Sequence, residues 1–166
     1  MSDEIITYLS MHTPAALAWP ARTPAFSLTR QQPIDPGQLA ALYHRVGANY
    51  HWTDRASWTH ADWHARSRAP GVSLWLARAA DLIGFVELAV DTAGDVEIAY
   101  FGLLPAFIGR GFGGSVLAAG VEQAWQWPGA RRVWVHTCNF DHPHALANYR
   151  ARGFSVDRIE RVSHTP

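Results

Sequence analysis

Two stretches of this 166-residue chain carry residue types suited to chemistry. The first is the run GRGFGG, in which Gly109, Gly111 and Gly114 satisfy G-x-G-x-x-G. It lies between an apolar run, VEIAYFGLL, and a helical pattern, GGSVLAAGVEQAWQW. Glycines at such a junction allow positive φ and close backbone approach, and the free N–H groups of a helix start favour a phosphate. The second stretch holds Glu97, a carboxylate within a run otherwise apolar enough to be a central strand, where burial is costly unless the charge is paired or used. Glu87 lies in the preceding run, GFVELAV. A hairpin turning about Thr92 sets the two glutamates opposite each other, which raises one pKa and suits a base working near neutrality. His136, at the end of VWVHT, is a rival base.

The glycine run is not a dinucleotide fingerprint. That fingerprint opens its fold, whereas roughly 100 residues precede this one and 52 follow Gly114. The ribose-binding acid expected about 20 residues on, at the end of the next strand, is absent from RRVWVHTC. A Walker loop is excluded because no Gly-Lys-Ser/Thr follows.

Composition narrows the classes further. The length predicts one domain, 1–166, able to bury roughly 70% of its unfolded surface without disulfide or metal. Lys plus Arg and Asp plus Glu are both 14, which argues against a dedicated nucleic-acid binder and gives no electrostatic pull toward an anionic membrane. No apolar run reaches about 18 residues. The lone Cys138 forbids an intrachain disulfide and fits a reducing compartment, and the acidic start MSDEIITYLSMHTP lacks a leader pattern, so the chain reads as cytoplasmic. His60 and His64, and His142 and His144, lack a third ligand in register, so no metal is expected. Cys138 reads as a small hydrophobe rather than a nucleophile.

The elements that must position these groups follow from periodicity. EIITYL reads as an edge strand and FSLTR as a short strand. PGQLAALYHRVG is a helix with Leu39, Leu42 and Val46 on one face and Gly47 at its end. YHWTDRASW is a loop, and THADWHARSRAPG a short helix capped by Thr59 and stopped at Pro70-Gly71. VSLWLARA, LIGFVELAV and VEIAYFGLL, joined by AD and DTAGD, give antiparallel hairpins. GGSVLAAGVEQAWQW is a helix, RRVWVHTC a strand, HPHALANYRARGF a helix with Pro143 in its first position and Gly153 at its stop, and SVDRIERV a last strand. The fold class is mixed α/β (α+β).

LLPAFIGRGFGGSVL resembles motif A of the GNAT superfamily of N-acetyltransferases, with Leu103, Pro105, Gly111 and Gly113 on the motif positions and Ile108 where the family has Gln or Arg. NFDHPHALANYRARGF resembles motif B through Asn139, Tyr149, Gly153 and Phe154. Together the motifs cover 73–155 and leave 1–70 as a variable, acceptor-side half. The resemblance implies a mostly antiparallel central sheet flanked by helices on both faces. It implies acetyl-CoA as cosubstrate, its pantetheine arm along Phe101 to Leu104 where the sheet splays, and its pyrophosphate on Ile108, Gly109, Arg110, Gly111, Phe112, Gly113 and Gly114. In that register Gly111 and Gly113 are the working glycines and Gly114 is incidental, while Arg110 supplies the charge that Ile108 lacks. Tyr149 takes the position that protonates the departing thiolate, and Asn139 contacts the arm or caps the last helix. Glu97 takes the general-base position, acting directly or through water.

The resulting expectation is an N-acetyltransferase moving acetyl to a primary amine, of a small molecule rather than a protein or peptide, by direct attack through a tetrahedral intermediate. A non-catalytic acyl-CoA binder of the same fold is the competing class, which Ile108 keeps open. The acceptor site is expected in YHWTDR, with Trp52 as a wall and Asp54 and Arg55 as polar anchors, joined by Glu87 and His136. A dimer would be usual for the superfamily.

Overall fold

Alternating apolar positions make strands and three-to-four-residue spacing makes helices in this chain. The computed structural model describes residues 3–163. In chain order come β1 (Glu4–Met11), a 3-10 turn (Pro14–Ala16), β2 (Ser27–Gln31), α1 (Pro36–Gly47), α2 (His60–Arg68), β3 (Val72–Arg78), β4 (Leu82–Val90) and β5 (Asp95–Leu103). A second 3-10 turn (Pro105–Phe107), α3 (Phe112–Trp125), β6 (Arg132–Cys138), α4 (Ala145–Ala151) and β7 (Ser155–Val162) complete it. The strands form one sheet in the order β2-β3-β4-β5-β6-β1-β7. Every neighbouring pair is antiparallel except β5–β6.

The period-two pattern of the middle strands divides the core. Leu74, Leu76 and Phe85 face α1 and α2, packing on Leu39, Leu42, Tyr43 and Trp63. Val86, Leu88 and Ile98 face the other way, onto Val116, Leu117 and Val121 of α3 with Tyr149 and Phe154. Full burial of one such aliphatic side chain contributes roughly 1.5–3 kcal/mol, so the two layers hold the sheet from both sides. Asp35 caps α1 ahead of Pro36, and Thr59 and Asp62 close a capping box on α2.

Three expectations change. β1 is an interior strand between β6 and β7, not an edge. Side-chain alternation reports which face is buried, not whether both backbone rims are paired. Pro143 precedes α4 instead of opening it, and His144 is the N-cap. The residues before it are committed to a turn in which Asp141 accepts hydrogen bonds from the Thr137 hydroxyl at 2.6 Å and the Cys138 N–H at 3.0 Å. Finally, Glu87 and Glu97 are not opposite. The β4–β5 turn is centred on Ala93, one residue later than expected, with Asp91 Oδ1 accepting from the N–H groups of Ala93 and Asp95, so Glu97 pairs with Ala89. A bulge then sets Glu87 against Tyr100.

One feature of the sheet makes a site. β5 and β6 pair at Asp95–Arg132, Val96–Val133 and Glu97–Trp134 and then part. Beyond that vertex β5 stays with β4 as far as Leu103, while β6 stays with β1 as far as Cys138. Each strand follows its outer partner, so the sheet opens into a wedge whose inner backbone rims face each other unpaired.

Candidate active site

A cavity of about 750 Å³ occupies the wedge, within the usual range for small-molecule sites. Its walls are Ile98 to Leu103 of β5 and Val135, His136 and Cys138 of β6. The glycine loop contributes Ile108, Gly109, Gly113 and Gly114, α4 contributes Asn148 and Tyr149, and the α1–α2 connection contributes Trp52 and Asp54.

The loop is built to leave donors free. Gly111 has φ +84° and is the N-cap of α3, with no side chain capping the helix. A left-handed residue there is cheap for glycine alone, and the first-turn N–H groups of α3 then have no protein acceptor from a cap. That is a phosphate-binding arrangement. Gly114, read as incidental, has a packing reason: a Cβ there would run into the Arg152 guanidinium and approach Pro20 Cγ at 3.0 Å. Phe112 and Arg110 do not border the cavity. Phe112 is a core residue in edge contact with Phe107, and the exposed Arg110 stacks over Phe107 at 5.1 Å. Arg110 is therefore turned to an aromatic partner rather than to the missing-charge position.

Glu97 stands at the vertex, half-buried, and does not itself border the cavity. Its Oε1 lies 4.0 Å from Nε2 of His136, which does border it. Burial pushes the Glu97 carboxyl above its ordinary value, and His136 partly offsets this; the Glu87 charge is a lesser contributor. The expected carboxylate pair is thus replaced by a carboxylate–imidazole pair.

Glu87 and Arg55 are not acceptor anchors. Glu87 is fully buried, and the Arg55 guanidinium donates to both of its oxygens at 2.7 Å. Arg66 of α2 donates to Glu87 Oε2 through Nε at 3.0 Å and Nη2 at 2.7 Å. Burial alone would push Glu87 up, but the two guanidinia hold it below its ordinary value. Arg55 also lies over Tyr100 at 4.5 Å and Trp58 at 4.6 Å. This cluster rivets the α1–α2 connection to β4, which is why the neighbouring residues Trp52 and Asp54 can form a fixed wall. Asp54 accepts from the Tyr100 hydroxyl at 3.2 Å.

Trp52 spans the wedge. Its Nε1 donates to Asp141 Oδ1 at 3.2 Å, and beside it His51 stacks on Phe140 at 5.0 Å between ring centroids. Asp141 escaped the sequence reading, although an acid three residues past a strand end and two before a proline is a turn signal. Tyr100, which borders the cavity, was missed too, because it does not break the local pattern.

Asn139 is corrected: its Oδ1 accepts from Ile5 N–H at 2.8 Å and its Nδ2 donates to the Asp3 carbonyl at 3.1 Å, so its amide ties β6 to β1 and lies away from the cavity. Tyr149 is buried against Phe154 yet borders the cavity, and burial pushes its hydroxyl upward, with Asp141 adding to the shift. Burial likewise pushes the Cys138 thiol to about 11, which keeps it protonated at neutral pH. Among the described residues, no group of three or more His, Cys, Asp or Glu side chains is placed to hold a metal, and no helix is long and apolar enough to cross a membrane.

A profile of the Acetyltransferase (GNAT) family matches residues 38–154. The chain belongs to that family. A GCN5-related N-acetyltransferase from Kribbella flavida superposes with a TM-score of 0.67 at 19% identity over 98% of this chain and 57% of its own. AAC(6')-Iy, solved with the bisubstrate analogue CoA-S-monomethyl-acetylneamine, gives a TM-score of 0.57 at 20% identity over 86% of this chain and 98% of its own. An aminoglycoside acetyltransferase from an uncultured soil metagenomic sample, solved with sisomicin, gives 0.64 at 14% identity over 85% and 94%. At these identities the likeness is one of fold. Against five solved structures that cover nearly all of it, this GNAT chain spans 50–63% of their length. No curated protein matches it at the sequence level.

Proposed function

We propose that this GNAT-family chain transfers an acetyl group from acetyl-CoA to a primary amine of a small molecule by direct attack. The observation that carries the reading is the cavity itself, which joins an uncapped helix start to the unpaired rim of β5 and to an imidazole backed by a carboxylate. The residues present fit the cosubstrate. The first-turn N–H groups behind Gly111, with Gly109 and Gly113 beside them, would hold the pyrophosphate, and the rim of Phe101 to Leu103 would pair with the amides of the arm. Acetyl-CoA supplies an already activated thioester.

The chain's own groups then have three tasks. His136 takes a proton from the acceptor ammonium, and Glu97 behind it stabilises the imidazolium. Backbone N–H groups of the β5 rim hold the charge that develops on the carbonyl oxygen. As the carbon–sulfur bond breaks, the Tyr149 hydroxyl gives its proton to the sulfur, which a hydroxyl still protonated at neutral pH can do. The protonated Cys138 thiol supports direct transfer over a covalent relay. Asp54 on the cavity wall suits a cationic acceptor, and the two aminoglycoside-acetylating neighbours support a small molecule.

Ile108 borders the cavity where motif A carries a polar side chain, and this favours a second reading, a GNAT-fold binder of acyl-CoA without turnover. Release of free CoA thiol across a panel of amines, with melting temperature followed alongside, separates the two. The enzyme is stabilised by acetyl-CoA and releases thiol with at least one amine; the binder is stabilised and releases none. Absence of stabilisation at millimolar acetyl-CoA overturns both.

A further inference from the structure

We infer that Arg152, at the end of α4, supplies the cation that the glycine loop lacks at Ile108 and clamps the pyrophosphate of the acyl donor against the start of α3. The inference rests on the acyl-CoA reading above and adds to that site a residue from outside the loop. α4 lies beside the first turn of α3. A Cβ built on Gly113 would meet Asn148 Nδ2 at 3.9 Å, and one built on Gly114 would run into Arg152 Nη1. Asn148 and Arg152 are one turn apart, so they share a face of α4. A guanidinium therefore fills the place of a side chain at Gly114, and Pro20 Cγ closes in at 3.0 Å from the same point. The backbone is held as well, because Ala18 N–H donates to the Arg152 carbonyl at 2.9 Å.

This is a poor position for a cation unless an anion joins it. The start of a helix carries partial positive charge, and no side chain caps α3. Among the described residues, four arginines are not exposed: Arg55, Arg66, Arg132 and Arg152. The first three each have a carboxylate partner. Arg152 has none within ion-pair distance, and its buried Nε has no hydrogen-bond partner. Burial lowers its pKa, yet a guanidinium stays charged at neutral pH. An anion between the guanidinium and the free N–H groups of α3 satisfies both at once, through charge-assisted hydrogen bonds. Arg110 is not the rival, since it is exposed and stacks over Phe107. The pyrophosphate is the group that fits, because Gly113 and Gly114, on which Asn148 and Arg152 rest, border the cavity that takes the arm. The ribose phosphate lies beyond it along the cosubstrate.

Isothermal titration calorimetry with CoA, and with dephospho-CoA, which lacks the ribose phosphate, tests this. Arg152→Met keeps an unbranched stem over Gly114 without the charge. Its Kd is expected to rise about ten- to a hundredfold for both ligands, the usual worth of a hydrogen bond to a charged group. Arg152→Lys keeps the charge but not the forked donor geometry, and is expected to bind between wild type and Arg152→Met. Without ligand, Arg152→Met should melt no lower than wild type, because it removes a cation from the positive end of a helix. A residue that served packing alone would show the reverse. Wild-type chain that binds no CoA overturns the acyl-CoA reading and the inference with it. Wild-type binding that Arg152→Met matches overturns the inference alone. So does a loss seen with CoA and not with dephospho-CoA, an Arg152→Lys chain as weak as Arg152→Met, or an unliganded Arg152→Met chain that melts well below wild type.

Discussion

The Glu97 carboxylate lies 4.0 Å from the His136 imidazole, one on each of the two strands that part at the vertex of the sheet. Glu97 belongs to the last residue pair that joins β5 to β6, and His136 lies two residues past it on β6. The same separation of strands that opens the cavity therefore places an imidazole in it and a carboxylate behind.

Kinetics should distinguish the two members of this pair. His136→Asn is expected to lower kcat by about 10²- to 10⁴-fold, the usual worth of a general base, with little change in the KM for acetyl-CoA. Glu97→Gln should lower kcat less and alter the acid side of the pH–rate profile. A Glu97→Gln enzyme with wild-type kcat and profile from pH 6 to 9 would remove Glu97 from the proton path.

Glu97 should also leave a mark on stability. Burial holds its folded-state value above the ordinary 4.5, so ionising it costs more in the folded chain than in the unfolded one. The penalty is absent below the ordinary value and grows as pH rises through the folded value. Glu97→Gln should therefore melt higher than wild type at pH 7, with the gain vanishing in acid; a thermal scan at both pH values checks the sign.

The Arg55–Glu87–Arg66 cluster predicts the opposite trend. Glu87→Gln leaves two guanidinia facing no charge at a fully buried position, a loss of about 3–5 kcal/mol at neutral pH by urea denaturation. Because the folded-state value of Glu87 is depressed, wild type itself loses this contribution as pH falls through that value. The two proteins should converge in strong acid.

Trp52→Phe keeps an aromatic ring against Tyr100 and deletes the Nε1 bond to Asp141. A loss of about 0.5–1.5 kcal/mol in stability is expected. The KM for the acceptor should rise while the KM for acetyl-CoA stays near wild type, a split measured by varying each substrate in turn.

Gly111→Ala tests the loop. A Cβ at φ +84° costs roughly 1–2 kcal/mol, and the strained N-cap should weaken binding of CoA in calorimetry. Gly113→Ala, whose Cβ would meet Leu103 and Asn148 at ordinary contact distances of 3.8 and 3.9 Å, should leave stability nearly unchanged.

Local rules act over a few residues, and what they govern was legible in the chain. The apolar periods gave the strands and helices, Thr59 the cap of α2, Gly153 the stop of α4, and the glycine run after VEIAYFGLL the helix start that faces the cavity. The two motifs at their spacing gave the family. The roles of Glu87 and Arg55 were not legible, because a guanidinium finds its carboxylate only once a loop has packed across strand β4, 32 residues away. Nor was the separation of β5 from β6, since each strand leaves the other by following a partner elsewhere in the sheet. A β4–β5 turn centred one residue later, on Ala93, moved Glu97 away from Glu87, and the parting of the strands set it beside His136. The sequence thus determined which chemical groups the site has to draw on, and the tertiary structure decided which of them meet, because pairing register and long-range packing are properties of the assembled sheet.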